Sequence, residues 1–339
     1  MTANANTAAW LTTPKSYPFE IKEAPTWTPS PTEILIKNHA VAINPVDGSI
    51  QSTAWWPLAY PTILGHDVAG EVAAIGSSVT RFKIGDRVLG QAVGMTSKRN
   101  EDAAFQKYTL VAENLACYIP DHLGYESAVA LPLGVSTAAC GLFQEDFLNL
   151  QYPSVPAAKP TGQTLLVWGG AGSVGSNAIQ LAVAAGYEVL STASPKNFDL
   201  VKSLGASQVF DYASRTVIED IVTALKSKTL AGAIDCIGPD ALEQTVQVVK
   251  RASGVKFVAT ANGGLDDDVV TVKMIIGSSL KHNDVGKAIY EDFLPRALVE
   301  QKYVAAPEPL VIGRGLERVQ EGVDLYRTGV GARKVVVLV

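Results

Sequence analysis

Three glycines in the stretch "LLVWGGAGSVGSNAIQLAVAAG", Gly170, Gly172 and Gly175, stand at the spacing G-x-G-x-x-G. They follow a strand-like run and open a helical one. The first glycine of such a set permits a tight turn, the second lets backbone approach a pyrophosphate, and the third lets the helix lie close to the sheet. Backbone N–H groups and the positive end of the helix then meet the anion. A helix is supported by Val174, Ala178, Leu181, Ala182 and Ala185, which recur on one face. The chemistry on offer is dinucleotide binding.

An NAD site usually places Asp or Glu at the tip of the second strand, about 20 residues beyond the glycines. Here "YEVLSTA" runs into Ser194-Pro195-Lys196-Asn197 with no acid at the tip, and Asp199 falls inside the next helix. A hydroxyl, an ammonium and an amide suit a 2′-phosphate, which a carboxylate would repel. NADPH is therefore the expected cofactor. The plainer alternative has Lys196 merely starting a surface helix within a capping sequence. Tyr212, after the third strand, either covers the adenine end or is an ordinary strand-end tyrosine.

The second chemical candidate is His66 in "LGHDVAGEV", with Asp67 beside it. Catalytic zinc takes three protein ligands and keeps a fourth position open. Cys117, Cys140 and Cys236 are scattered through apolar sequence, and His39, His122 and His282 have no ligand-like spacing. "GMTSKRNEDAA" lacks the clustered cysteines of a structural zinc lobe. No metal is expected.

The elements that must position these groups differ along the chain. Up to about Leu115 the runs "EILIKNHAVAI", "VAGEVAAIG", "GDRVLGQAV" and "FQKYTLVA" are β-rich and separated by turn residues, as in a partly closed β-barrel. From about Glu126, "ESAVALPLGVSTAACGLFQ" reads as helix on either side of a Pro132-Leu133-Gly134 break. Strand-like and helical runs then alternate to Ile276, which predicts a doubly wound parallel sheet of about six strands. The terminal "RKVVVLV" needs a partner, and rejoining the barrel is the economical choice. The expected division is 1–130 plus 278–339 for the barrel domain and 131–277 for the nucleotide domain.

With 339 residues, 47% hydrophobic and 18% charged, the chain is long and apolar enough for two folded domains. A net charge of -5 without a basic stripe argues against nucleic acid. The N-terminal residues show no basic region leading into an apolar one, and no apolar run reaches the ~18 residues of a membrane span. Three scattered cysteines fit a reducing compartment. A cytoplasmic protein with no membrane partner, monomeric or homodimeric, is expected.

Together "NPVD", "GHDVAGEV", "GDRVLG", "AFQKYTLV", "GGAGSVG" and "GARKVVV" resemble the medium-chain dehydrogenase/reductase superfamily over essentially the whole chain. The similarity is strongest to its zinc-free quinone oxidoreductase and enoyl reductase branch. "LPLGVSTAACGLF", "SPKNFDLVKSLGA" and "AIYEDFLPRAL" look like its fungal members, which include trans-acting enoyl reductases and proteins called zinc-binding alcohol dehydrogenases. The resemblance implies a Rossmann sheet inserted into a GroES-like barrel domain. Where zinc relatives carry a cysteine ligand ahead of the Gly-His segment, this chain has "NPVDGSI".

The resemblance also assigns roles. Gly170, Ala171, Gly172, Ser173 and Val174 match the pyrophosphate loop, and Ser194, Lys196 and Asn197 match the 2′-phosphate clamp. Tyr212 matches an adenine-side contact, and Thr137 a residue near the nicotinamide amide. Ala259 and Thr260 match the strand end beside the ribose, and Arg333 and Lys334 a C-terminal cofactor contact. Asn44 to Ser49, Asp47 included, match the loop facing the nicotinamide. Gly134, Val135 and Ser136 with Gly277, Ser278 and Ser279 match stretches lining an acyl or enone pocket. Many relatives read Asn-Pro-x-Asp-aromatic-Lys, whereas this chain has Gly48 and Ser49 at the last two places. A role that depends on that lysine does not transfer.

Without a Lewis acid, conjugate reduction is easier than alcohol oxidation, because hydrogen bonds can stabilise an enolate or phenolate. Such a site must hold cofactor and acceptor in a dry cleft. Ser49, Tyr60 and Thr137 are the candidate catalytic groups. Asp47 is read first as a brace for the Pro45 turn, and Tyr60, with Trp55 and Trp56, first as a pocket wall. The expected activity is NADPH-dependent hydride transfer to an enone, enoyl group or quinone, with a fungal synthase as a further partner. The alternatives are a metal-free carbonyl reductase or alcohol dehydrogenase, and a non-catalytic NADPH-binding partner of a synthase.

Overall fold

Glu33–Ala42, "EILIKNHAVA", is the longest strand among the described residues, and eight of its ten side chains are buried. The computed structural model describes residues 5–339. The chain divides into two compact units, Met1–Leu133 with Glu308–Val339, and Gly134–Pro307.

In the first unit a seven-stranded sheet runs in the order Glu308–Arg314, Arg333–Leu338, Glu33–Ala42, Asp67–Ile75, Arg87–Gln91, Ala116–Tyr118, with Tyr108–Ala112 also paired to Glu33–Ala42. The C-terminal strand does return to the N-terminal sheet, with Val336 opposite Ala42 and antiparallel to it. A three-stranded sheet, Glu20–Ala24, Asn6–Leu11 and Thr62–Ile63, completes the unit's β structure.

In the second unit six strands are all parallel, in the order Gln208–Asp211, Glu188–Ala193, Gln163–Trp168, Thr229–Asp235, Phe257–Thr260, Thr271–Met274. The order reverses direction at Gln163–Trp168, the strand that carries the glycine loop. Helix Val217–Leu225 buries Val217, Ile221 and Leu225, four residues apart. Helix Pro239–Arg251 buries Leu242, Val246 and Val249 on one face. Both stripes join the core that contains Leu166, Leu190 and Val258. The two units are the expected doubly wound Rossmann sheet and a GroES-like domain.

Two expectations are corrected. The helical break precedes Pro132: the helices are Tyr125–Ala128 and Pro132–Phe143, so proline sits at the start of the second helix, where its missing N–H costs nothing. The apolar segment Tyr125–Phe143 is 19 residues long, enough by length to span a bilayer, but 83% of it is buried inside the protein. The second domain junction lies at 307/308, not 277/278. The segment 278–307 closes its polar groups on the second unit. Tyr290 and Ser136 share a hydroxyl–hydroxyl hydrogen bond of 2.7 Å. The Tyr303 hydroxyl donates to Asn177 Oδ1 at 2.7 Å, and Val304 N–H donates to Gln180 Oε1 at 2.7 Å. An amphipathic sequence shows that a face is buried, not which core it covers.

Candidate active site

In the second unit, strand Gln163–Trp168 turns through Gly169 to Gly172 into helix Ser173–Ala184. Two bonds to the neighbouring strand hold the turn: Gly169 N–H donates to Thr192 Oγ1 at 2.9 Å and Gly170 N–H to the Thr192 carbonyl at 2.9 Å. A Cβ on Gly175 would collide with the Gly169 carbonyl oxygen, so glycine is needed there for the helix to lie this close to the turn. In front of Gly172 there is open space, its nearest neighbour being the Gly169 oxygen at 3.7 Å from an added Cβ. The first-turn amides of the helix have no intrahelical acceptor and are available to an anion. Ser173 Oγ is buried with no hydrogen-bond partner in the protein. The loop fits a dinucleotide pyrophosphate.

The tips of the next two strands lie side by side, because Ala193 is in register with Asp211. Beyond them come Ser194 and Tyr212. Asn197 Nδ2 donates to Ser194 Oγ at 3.1 Å, Lys196 is exposed, and Tyr212 is half exposed. Asp211 turns one oxygen onto its own turn, accepting from Ala213 N–H at 3.0 Å. Asp199 is exposed on the following helix.

The residues expected to line an acyl pocket separate into two groups. Val135 and Ser136 are fully buried, with Ser136 bound to Tyr290, so they are core rather than lining. Thr137 stands against Gly277, whose added Cβ would meet Thr137 Oγ1 at 2.9 Å. Gly134 lies over the helix start at Ser173 and Asn177, Ser278 is nearly buried, and Ser279 accepts from Gln144 Nε2 at 2.8 Å.

Ala259 and Thr260, expected beside the cofactor, are also fully buried. The Thr260 hydroxyl donates to Asp235 Oδ2 at 2.9 Å. Burial pushes the Asp235 carboxyl up to about 6, against hydrogen bonds from Thr260, Ile237 N–H and Gly238 N–H that pull it down. Nothing in the sequence singles out Asp235 except its place at a strand end.

In the first unit, Pro45–Thr53 is a helix entered at Asn44. Asn44 N–H donates to Asp47 Oδ2 at 2.8 Å, and Asp47 Oδ1 lies 3.1 Å from His66 Nδ1. Asn44 Nδ2 donates to Asp67 Oδ2 at 2.7 Å, and Leu133 N–H donates to Asp67 Oδ1 at 2.6 Å. Lys334 Nζ donates to Asn44 Oδ1 at 2.5 Å and pairs with Asp67 Oδ2 at 2.9 Å. All five side chains are buried. Asp47 braces the turn at Pro45, the role read first for it, and Lys334, matched to a C-terminal cofactor contact, is engaged inside this network, where each charge has a partner because a lone one could not be buried. Arg333 donates to the Pro309 carbonyl at 2.9 Å on the neighbouring strand. Ser49 is exposed, and the Tyr60 hydroxyl is buried without a partner.

Residues 30–145 match the alcohol dehydrogenase GroES-like domain, and residues 173–292 match the zinc-binding dehydrogenase family. The zinc-binding alcohol dehydrogenase domain-containing protein cipB of Emericella nidulans is 57% identical, with 99% of each chain covered. The chain belongs to the medium-chain dehydrogenase/reductase superfamily. That makes it an oxidoreductase of a family that uses nicotinamide cofactors. The trans-enoyl reductase himH of Aspergillus japonicus is 42% identical over 99% of this chain and 98% of its own length. An alcohol dehydrogenase superfamily protein from Novosphingobium aromaticivorans has the same fold, with a TM-score of 0.80 at 24% identity and coverage of 98% and 99%.

For this dehydrogenase/reductase the donor set does not fit zinc. Among the described residues no group of three or more His, Cys, Asp or Glu side chains is arranged to hold a metal. His66 Nδ1 faces Asp47, which leaves only the buried Nε2 for any other partner. Cys117 and Cys140 are buried thiols, both pushed up by burial, Cys140 to about 11.

Proposed function

We propose that the protein is an NADPH-dependent reductase that transfers hydride to an activated C=C bond, in an enone or enoyl thioester, or to a quinone, without a metal. The observation that supports this reading is the donor set at His66, which among the described residues belongs to no group of three or more metal-binding side chains and has its Nδ1 engaged by Asp47. Reducing an isolated carbonyl builds charge on one oxygen and gains most from a Lewis acid. Conjugate reduction spreads that charge into an enolate or phenolate, which hydrogen-bond donors can hold. The name of the himH relative, trans-enoyl reductase, supports the same choice.

When bound, the nicotinamide supplies the hydride. In this reading the amides after Gly172 take the pyrophosphate, while Ser194, Lys196 and Asn197 take the 2′-phosphate with no carboxylate at the strand tip to oppose it. Tyr212, on the neighbouring tip, covers the adenine side. Of the three candidate donors to the substrate oxygen, Tyr60 has a buried hydroxyl with an uncommitted proton, Ser49 an exposed one, and Thr137 a nearly buried one. Oxidation of NADPH by the purified protein with an enone, an enoyl thioester, a naphthoquinone and an aldehyde tests the reading. Turnover of one of the first three that survives a chelator is expected. Turnover of the aldehyde alone, or activity abolished by chelation, would overturn it.

A further inference from the structure

A pocket of about 390 Å³ opens in the first unit between helix Pro45–Thr53 and helix Arg318–Arg327. Asn44, Gly48, Ser49 and Ser52 form one wall, and Val323, Tyr326 and Arg327 the other. Among the described residues Arg327 is the only charged one lining it, and no carboxylate lines it. One edge of the guanidinium is fixed, because Arg327 Nη2 donates to the Gly48 carbonyl at 2.8 Å. Its ion pair with Asp324 is long, 3.6 Å, between side chains 40% and 39% exposed, and so is weak. Asp324 is served otherwise, by the Tyr17 hydroxyl at 2.9 Å and Gln320 Nε2 at 3.1 Å. The Arg327 guanidinium is thus held at Nη2 by backbone, while its pairing with Asp324, a residue outside the pocket lining, stays long and half exposed.

Gly48 makes this arrangement possible. A Cβ there would lie 3.2 Å from Val323 Cγ1 and 3.4 Å from Arg327 Nε, and a larger side chain would occupy the space the guanidinium now fills. The two motif positions that lack bulk and charge, Gly48 and Ser49, therefore face a cation delivered from the C-terminal helix. Ser49 adds an uncommitted hydroxyl to the same wall.

We propose that this pocket binds an anionic oxygen group, carboxylate or phosphate, carried by the substrate, with Arg327 as its specificity-determining residue. A guanidinium anchored on one edge presents its remaining N–H groups as a fork that matches such an anion. The proposal rests on the reductase reading only for calling the ligand a substrate. Its test is therefore equilibrium binding, which needs no hydride transfer.

Calorimetry with levulinate, its methyl ester and inorganic phosphate compares the wild-type protein with Arg327→Gln, Arg327→Lys and Gly48→Phe. The wild type is expected to bind levulinate or phosphate about tenfold more tightly than the neutral ester. Arg327→Gln should erase that preference, Arg327→Lys should retain part of it, and Gly48→Phe should abolish anion binding by filling the pocket. Which anion responds identifies its source. Equal binding of ester and acid by the wild type, with no phosphate binding, would overturn the proposal, as would a preference that survives in Arg327→Gln. Failure of every acceptor in the NADPH assay would count against the reductase reading and leave this result standing.

Discussion

His66 Nδ1 lies 3.1 Å from Asp47 Oδ1 with both side chains buried, so the histidine of the Gly-His-Asp segment is held by a carboxylate on one ring nitrogen. The other oxygen of Asp47 accepts from Asn44 N–H and fixes the entry to the helix that carries Ser49. Asp47 positions two elements at once. Metal analysis of the purified protein is expected to find no stoichiometric zinc, and incubation with a chelator should leave the melting temperature unchanged. One zinc per chain, or a large drop in melting temperature on chelation, would refute the reading of His66. Asp47→Ala should cost about 3 kcal/mol or more in denaturant unfolding, since it strips charge-assisted hydrogen bonds from two buried partners.

Lys334 and Asp67 form a buried ion pair that Asn44 completes from both sides. Lys334→Met should destabilise the first unit by about 3–5 kcal/mol, because it leaves Asp67 charged and buried. Adding Asp67→Asn should recover part of that loss. A double-mutant cycle in urea measures the coupling, and strictly additive losses would mean that the two charges act independently.

Asp235 carries a pH dependence opposite to that of a carboxylate whose proton affinity is lowered by a salt bridge. Burial raises its folded value to about 6 from an ordinary 3.8, so the folded chain holds the proton more tightly than the unfolded one. The stability this contributes is fully present below about pH 4 and is lost as the pH rises to about 6. The swing is on the order of 3 kcal/mol, two units at about 1.4 kcal/mol each. Asp235→Asn should remove it, so the stability difference between wild type and variant should shift across that window and be flat above it. Unfolding midpoints measured at several pH values from 4 to 8 check this.

The proposed 2′-phosphate clamp predicts an asymmetric loss. Alanine at Ser194 and Lys196 together should raise the NADPH dissociation constant by about tenfold or more while changing that of NADH little. Fluorescence titration with each nucleotide reads both values. Equal changes would mean that the tip residues do not discriminate.

Much of this protein is legible in its sequence. The glycine spacing at Gly170, Gly172 and Gly175 announces a phosphate loop, and the packed structure demands glycine at Gly170 and Gly175, where an added Cβ would strike Ser191 Oγ and the Gly169 carbonyl. The alternation of strand and helix after Glu126 announces a parallel sheet because periods of two and of 3.6 residues bury different faces. These are local constraints, and local sequence records them. The tertiary structure alone decides which distant groups meet. Lys334 reads as a cofactor contact until folding brings it to Asn44 and Asp67, roughly 270 to 290 residues away. Asp235 is one acid among many until burial raises its proton affinity. Segment 278–307 gives no sign of the core it joins until Tyr290 meets Ser136 and Tyr303 meets Asn177. Arg327 lies in an unremarkable C-terminal helix until the missing side chain at Gly48 leaves room for it. Burial and long-range charge pairing depend on which surfaces fold against each other, and linear spacing carries no record of that.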